Sequence, residues 1–363
     1  MAEVLDFKCP QCGGQLEFDA KTQNLKCPYC DSVFSPEYLR HQDAGLAGGT
    51  PDTAQPQQQD PEWGVVSEPW ESELNVYICN SCGGEIISDE NTISTACPYC
   101  GNPVVLAGRV SGVLKPDYVI PFKLDKKDAK AKMKRFVESK KFAPSLFKSE
   151  NKLKEIKGIY VPYWLFDSEV EASINFVGTH VRHWSDSDYN YTETSFFDVY
   201  RAGSMRFENV PVDGSTKMPD DLMESLEPFD FKEALDFQTA YLSGYLADKY
   251  DVPVESCMPR ADERTGDSAE SALRSTVNNY ATLTTKTRKI QRKEGRSKYA
   301  LYPVWILNTM YQGKKYTFAM NGQTGKFIGN LPISKKKVAA LFSAVAAASG
   351  AVVFGLGCLI GMF

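Results

Sequence analysis

The chain has 363 residues, of which 42% are apolar and 24% are charged, so its composition is that of a globular protein with room for two or three units. The formal net charge of −5 excludes a chain that is cationic throughout, and nucleic-acid binding would need a local basic patch. The N-terminal residues contain no apolar h-region, so we expect no signal peptide. In a reducing compartment, Cys-x-x-Cys pairs hold metal more often than they form disulfides.

Eight of the ten cysteines form two copies of one module, C-x2-C-x14-C-x2-C, the second copy seventy residues after the first. The flanks repeat as well, since FKCPQCGGQLEF matches YICNSCGGEIIS. Four thiolates in a tetrahedron suit a structural Zn²⁺, and each short spacing can direct two sulfurs at one ion. We therefore predict two zinc ribbons and two Zn²⁺ ions as cofactors. The ligands are Cys9, Cys12, Cys27 and Cys30 in module 1 and Cys79, Cys82, Cys97 and Cys100 in module 2.

Two other chemistries fit parts of this pattern. The second pair in each module is Cys-Pro-Tyr-Cys, as in glutaredoxins, but here another Cys-x-x-Cys precedes it, which that redox fold does not require. Iron in a rubredoxin-like site has the same four ligands, so the cysteine pattern alone does not decide between zinc and iron. Residues 75–108 of module 2 contain Glu85, Asp89 and Glu90 without Lys or Arg, which disfavours nucleic acid as the partner of this module.

The domain boundaries follow from changes in composition. Residues 1–40 and 75–110 form the two ribbons, and the Gln-, Pro- and acid-rich residues 41–74 predict a disordered linker. Residues 113–334 predict a cytosolic α+β domain with an antiparallel sheet. The fold class predicted for the whole chain is thus α+β, with two small four-cysteine zinc ribbons, a mixed α+β domain and one C-terminal transmembrane helix.

Hydrophobic periodicity predicts the elements of the α+β domain. Aromatic and β-branched residues predict strands at residues 118–124 and 299–329, and long hairpins at residues 159–177 and 189–212. Helical spacing predicts helices at residues 125–141, 232–249 and 268–281. Pro162-x-Trp164 recurs as Pro303-x-Trp305, and we expect these aromatic residues in the core rather than in a ligand site.

No catalytic residue is predicted, and we expect that the protein is not an enzyme. His180 and His183 lie near Asp186 and Asp188, but no further ligand is evident, and a surface turn is the better interpretation. No phosphate-binding G-x-x-x-x-G-K-[ST] and no G-x-S-x-G motif occurs.

The C-terminal residues 338–363 contain no charged side chain, and as a helix they span about 39 Å, enough to cross a bilayer. Lys335, Lys336 and Lys337 precede them, and the positive-inside rule predicts a single-pass protein with a cytoplasmic body. Small residues spaced by four favour oligomer formation through this helix. A second basic segment, residues 286–298, has seven Lys or Arg; it predicts a solvated strand pair or a face toward anionic lipid.

Both ribbons, the Pro-x-Trp strands, the NGQTGK turn at residues 321–326 and the C-terminal anchor together resemble bacterial transcription-factor-IIB-type (TFIIB-type) zinc-ribbon-containing membrane proteins. These are often labelled primosomal or replication-restart helicase-like, but no ATPase motif supports that label here. The resemblance implies protein partners at the membrane, of the flotillin-like (SPFH) or phage-shock type. We therefore expect a membrane-anchored zinc-binding adaptor or scaffold. The alternative is nucleic-acid binding through module 1 and residues 286–298.

Overall fold

The computed structural model of the protein describes residues 8–37, 64–65, 67, 69–88, 96–148 and 155–360. Within these ranges, three short strands of module 1 form a small sheet, and twelve strands form one large sheet. Pairing in the large sheet is mostly antiparallel, with short parallel pairs at its centre. The class is therefore mixed α+β with antiparallel sheets, as the sequence predicts.

The small sheet consists of β1 (Glu17–Asp19), β2 (Asn24–Lys26) and β3 (Val33–Phe34). The large sheet consists of β4 (Gly64–Val65), β5 (Pro69–Ile78), β6 (Glu85–Ser88), β7 (Val105–Leu114), β8 (Tyr118–Val119), β9 (Lys157–Ser185), β10 (Asn190–Asp213), β11 (Leu235–Asp236), β12 (Leu246–Asp248), β13 (Thr282–Tyr311), β14 (Lys314–Asn321) and β15 (Phe327–Gly329). The helices are α1 (Lys126–Ser139), α2 (Asp220–Leu226), α3 (Val254–Ser275) and α4 (Lys335–Ile360).

Three long strands form the centre of the large sheet, and β9 lies between β10 and β13, antiparallel to both. The segments 159–177 and 189–212, each predicted to be a hairpin, instead fall on β9 and β10, the two strands of one long hairpin, because they pair with each other. Residues 159–166 of β9 are buried at every position, because both faces of the sheet are covered there. Farther along β9, Val170, Ala172, Ile174 and Phe176 are buried while their neighbours are more exposed. This alternation arises because α3 covers only one face of the sheet there, through Ala269 and Leu273.

The two Pro-x-Trp segments lie on the paired strands β9 and β13 but are offset along them, since Pro162 lies opposite Leu301 and Pro303 lies opposite Tyr160. Trp164 and Trp305 are almost fully buried. The indole N–H of Trp164 donates to the Val252 carbonyl at 2.9 Å, and that of Trp305 donates to the Leu124 carbonyl at 3.0 Å. Both side chains are therefore satisfied members of the core, which confirms the expectation from the sequence.

The NGQTGK turn is a structural junction between β14 and a neighbouring loop. Asn321 is fully buried, and its amide nitrogen donates to the carbonyls of Leu226 and Pro228 at 3.1 and 3.2 Å. Its side-chain oxygen accepts the backbone N–H groups of Gln323 and Thr324, each at 2.9 Å. The turn therefore closes a hairpin and ties it to the segment after α2.

Part of the predicted linker belongs to the large sheet. β4 and residues 69–74 of β5 fall within residues 41–74. Trp70 is 5% exposed, with its ring 5.4 Å from that of Phe237. The polar composition of this segment predicted disorder, but strand pairing and this aromatic contact order its last residues. Residues 41–63, 66 and 68 of the predicted linker lie outside the described residues.

Helix α1 agrees with its prediction, and two other predicted helices do not. Asp125 caps α1 by accepting the Asp128 N–H at 2.7 Å, and its buried face is Ala129, Met133 and Val137. The segment 232–249 forms 3-10 turns and the strands β11 and β12, because sheet pairing and the left-handed Gly244 (φ 81°) interrupt any helix. The segment predicted at 268–281 starts earlier, as α3.

The sequence did not predict that α3 begins at Val254, because Pro259 and Gly266 lie inside the helix and both are weak helix formers. The strand predicted at 118–124 is also shorter and consists of β8 alone. The strands predicted at 299–329 are present as the second part of β13, with β14 and β15.

Helix α4 has 26 residues, and residues Lys335–Phe354 form a span with a mean hydropathy of 1.8, none of it buried against the rest of the protein. Ser334 precedes the helix, and its carbonyl accepts the Val338 N–H at 3.1 Å. The described part of the chain thus contains one helix long and apolar enough to cross a membrane, at the place that the sequence predicts.

Candidate metal centres

The four cysteines of each module meet through two tight turns. In module 1 the Gly13 N–H donates to the Cys9 carbonyl at 2.8 Å, and the Asp31 N–H donates to the Cys27 carbonyl at 2.9 Å. Module 2 repeats both bonds, from Gly83 to Cys79 at 2.8 Å and from Gly101 to Cys97 at 3.0 Å. Gly13 and Gly83 have φ values of 71° and 67°, a left-handed conformation that glycine adopts without strain.

The sulfur geometry fits one metal ion in each module. In module 1 the Sγ atoms of Cys9 and Cys30, and those of Cys12 and Cys27, are 3.5 Å apart. In module 2 the corresponding separations are 3.4 and 3.6 Å, and all four sulfurs of each cluster lie within 4.8 Å of one another. A tetrahedral ion with metal–sulfur bonds of about 2.3 Å needs sulfurs roughly 3.8 Å apart. Each cluster can therefore hold one ion with little movement.

The environments of the sulfurs differ between the modules. In module 1, hydrogen bonds between Cys30 and the side chain and backbone of Ser32 lower the pKa of the Cys30 thiol to about 6, which favours the thiolate that binds metal. In module 2, burial raises the pKa of Cys97, because the low-dielectric surroundings disfavour its charged form. Each cluster also contains a thiol shifted the other way, since the pKa of Cys12 is raised to about 12 and that of Cys79 is lowered to about 7. Exposure is what distinguishes the modules: Cys12 and Cys30 are exposed, whereas Cys82 and Cys100 are half-buried, so module 1 is the more solvated centre.

The Cys-Pro-Tyr-Cys turns have the same sequence but opposite surroundings. Tyr29 in module 1 is 76% exposed, whereas Tyr99 in module 2 is 3% exposed. The Pro98 carbonyl accepts the Asn308 side-chain N–H at 2.6 Å, and the Ala96 carbonyl accepts the Lys157 ammonium at 2.6 Å. Module 2 is therefore held inside the large sheet, to which β5, β6 and β7 belong.

Module 1 is attached through its hairpin and leaves its cysteine turns open. The Phe18 N–H donates to the Ser243 carbonyl at 3.2 Å, and the Phe18 ring lies 5.3 Å from that of Tyr241. Lys21 adds an ion pair with Asp125 at 2.9 Å. These contacts leave Tyr29 exposed to solvent.

Sequence reasoning missed this difference because the two turns are identical in sequence. The sequence does contain a weaker indication of this difference, in β1 and β6, the strands that follow the Gly-Gly pair of each module. Module 1 alternates there as Leu16-Glu17-Phe18, with Glu17 exposed, whereas module 2 has adjacent Ile86 and Ile87, which are buried on both faces of β6. Two consecutive apolar residues indicate a strand inside a sheet.

The histidine pair does not form a metal site. His180 and His183 lie on β9 before the turn, and not in the turn as the sequence predicts. The His180 ring packs 5.0 Å from Phe197, while His183 Nδ1 is 2.9 Å from the Thr192 hydroxyl. Among the described residues, the groups of ligands that can hold a metal are the two cysteine clusters.

The basic segment 286–298 is one strand, the first part of β13, and not a strand pair. Five of its seven basic side chains form ion pairs with acidic residues of β9, β10 and α3. The pairs are Lys286–Asp198, Arg288–Asp267, Arg292–Asp262, Lys293–Glu171 and Lys298–Asp167. Most of its charge is therefore neutralised within the protein.

No family model matches the chain, and no solved structure matches it. The chain is 35% identical over 343 residues to YdjG of Bacillus subtilis (strain 168), described as an uncharacterized protein, and the match covers 94% of each chain. The chain belongs to the YdjG family. The relationship extends far beyond the length of either cysteine module, so it concerns most of the architecture and not one metal-binding unit.

Proposed function

We propose that this protein is a membrane-anchored zinc-binding adaptor, in which module 1 offers a docking surface to protein partners at the cytosolic face of the membrane. The observation that carries the proposal is the contrast between the duplicated turns: Tyr99 is buried in the large sheet, while Tyr29 is exposed. A buried copy stabilises the fold, and an exposed aromatic copy on a rigid turn suits a binding role.

Zinc is the ion that we propose for both centres. Four thiolates close the coordination sphere, which is typical of structural zinc and leaves no open position for catalysis. The strands of module 1 have only two or three residues each, so bound metal would stabilise the turns that present Tyr29. The metal would therefore shape the docking surface without taking part in a reaction.

The chemistry of that surface favours protein over nucleic acid. Tyr29 and Val33 are 76% and 52% exposed, and Pro10, Gln11 and Pro28 beside the cysteines are exposed and uncharged. Phosphate backbones need clustered cations. The other basic candidate, residues 286–298, has five of seven cations in ion pairs.

The proposed location follows from α4. Lys335, Lys336 and Lys337 begin the helix, and cations at this end favour a cytosolic body. A tethered module meets membrane-bound partners at a raised effective concentration, so modest affinity is sufficient. The resemblance to TFIIB-type zinc-ribbon membrane proteins makes flotillin-like or phage-shock-type proteins the first partners to test.

The test is chemical crosslinking in native membranes, followed by purification of the full chain and identification of its partners. Tyr29→Ala should reduce partner recovery by about tenfold or more, as for an aromatic hot spot of roughly 2 kcal/mol. Tyr189→Ala is the matched control, because Tyr189 is 68% exposed and lies in the turn between β9 and β10, outside module 1. Equal recovery from Tyr29→Ala and the unaltered protein would refute the proposal. Salt-sensitive retention of RNA or DNA instead would favour the alternative function.

A further inference from the structure

The root of α4 contacts the segment that follows α1. The Ser334 N–H donates to the Phe142 carbonyl at 2.9 Å, and the Lys337 ammonium donates to the Ala143 carbonyl at 2.6 Å. Ser334 directly precedes α4, and Lys337 lies in its first turn. If α4 crosses the membrane, these two bonds hold residues 142–143 at the depth where the helix enters the bilayer.

The contacting segment is firmly attached to the large sheet. Ala143 and Phe147 are 2% and 1% exposed. The Phe147 ring lies 5.7 Å from Tyr311, 5.8 Å from Tyr316 and 5.7 Å from Phe318. The segment is therefore a fixed feature of the protein surface beside α4, and its exposed side chains have defined positions.

The exposed side chains at residues 140–147 and 333–338 are lysines, aliphatic groups and Ser145, and the exposed Glu138 lies just before them. Lys140 and Lys141 are exposed on one side of the contact, and Lys335 and Lys336 on the other. Leu146 is 36% exposed, and Ile333 is 67% exposed. No Asp or Glu occurs at residues 139–147 or 331–338. This combination of lysines with exposed aliphatic groups is typical of surfaces that lie in the headgroup region of an anionic bilayer.

We propose that residues 140–147 and the first turn of α4 form one binding surface for the headgroups of anionic phospholipids. The lysines contact phosphate groups, and Leu146 and Ile333 enter the apolar boundary beneath them. The protein then meets the membrane at two linked places, the helix and a loop from the folded body. The second contact restricts rotation of the body about α4 and orients the exposed face of module 1.

The basic segment 286–298 does not share this surface. Phe147 packs against Tyr311 at the end of β13, whereas Lys286 lies near its start. The roughly 25 residues of strand between them, at about 3.3 Å each, correspond to a separation on the order of 80 Å. Lys286 also pairs with Asp198. Lysines on this distant part of β13 are therefore internal controls in the same molecule.

The first experiment measures lysine acetylation by mass spectrometry on the full chain in lipid nanodiscs. Discs of phosphatidylcholine are compared with discs that also contain phosphatidylglycerol. We expect acetylation of Lys140 and Lys141 to slow by roughly fivefold in the anionic discs, the factor that corresponds to about 1 kcal/mol per lysine. Lys286 and Lys289 should react equally in both. Equal rates at Lys140 and Lys141, or protection at Lys286 and Lys289 instead, would overturn the proposal.

A third sample distinguishes lipid from soluble anion. Inorganic phosphate added to phosphatidylcholine discs should leave the rates at Lys140 and Lys141 unchanged. Protection by phosphate alone would mean that the site binds a free anion and would overturn the assignment to lipid. The amount of chain that is recovered with the discs is measured in every sample. Loss of the chain from the discs would mean that α4 does not anchor it, whereas a retained chain with unprotected lysines would mean that the lipid surface is wrong.

The second experiment measures depth. Leu146→Trp in the same nanodiscs should show fluorescence quenching by brominated phosphatidylglycerol beyond that of the unaltered chain. Val181→Trp is the matched control. Val181 is 40% exposed and lies near the end of β9, beside the turn to β10, so it should show no added quenching. Equal quenching for the two variants would contradict insertion of the loop into the interface.

Discussion

The duplicated Cys-Pro-Tyr-Cys turns allow one structural argument to be tested with a matched pair of variants. Tyr99→Ala and Tyr29→Ala make the same chemical change at equivalent positions of the two modules. Tyr99 is 3% exposed and lies beside the fully buried Asp248, whereas Tyr29 is 76% exposed. Any difference in stability between the variants therefore reports the tertiary surroundings and not the local turn.

The expected magnitudes follow from burial. Truncation of a buried aromatic side chain to alanine costs about 3–5 kcal/mol, because apolar contacts are lost and a cavity remains. A surface substitution typically changes the free energy of unfolding by less than about 0.5 kcal/mol. We therefore expect Tyr99→Ala to lower the melting temperature by roughly 10 °C and Tyr29→Ala to lower it by about 2 °C or less.

The assay is thermal unfolding of the full chain in detergent micelles at saturating zinc, followed by intrinsic fluorescence, with zinc release measured in parallel. Tyr99→Phe keeps the ring and should recover most of the loss. Equal shifts for Tyr99→Ala and Tyr29→Ala, or a larger shift for Tyr29→Ala, would refute the conclusion that module 2 is structural and module 1 presents an open surface.

Three further predictions concern pH, metal and the NGQTGK turn. Burial raises the pKa of Asp248 to about 7, whereas the same carboxyl in the unfolded chain has a pKa of about 4. Between about pH 4 and pH 7 the folded state therefore keeps a proton that the unfolded chain releases. The free energy of unfolding falls as pH rises through this range, by up to about 4 kcal/mol. Asp248→Asn should therefore gain stability relative to the unaltered protein between about pH 5 and pH 8 in urea unfolding, and parallel curves would contradict this. Cys97→Ser should reduce bound zinc from two equivalents to one by elemental analysis, while Cys257→Ser, at a buried cysteine outside both clusters, should keep both. Asn321→Ala removes four hydrogen bonds from a buried junction and should cost about 2–4 kcal/mol in urea unfolding; a change within error would show that the turn is not a junction.

Features of this protein that depend on nearby residues could be predicted from the sequence. Each C-x2-C turn directs its own two sulfurs, so the two clusters followed from cysteine spacing alone. The long uncharged C-terminal segment indicated α4, and apolar residues at helical spacing indicated α1. In these elements the determining interactions lie within a few residues, where periodicity describes them well.

Features that depend on contacts between distant residues could be decided only by the tertiary structure. Identical Cys-Pro-Tyr-Cys turns are buried in one module and exposed in the other, because β5, β6 and β7 of module 2 belong to the large sheet. The cations of residues 286–298 are mostly neutralised by partners on other elements, such as Asp198. The loop at residues 140–147 lies beside α4 because Phe142 and Ala143 bond to residues almost two hundred positions later. Burial and ion pairing are set by residues that the fold brings together, so local sequence patterns alone do not determine them.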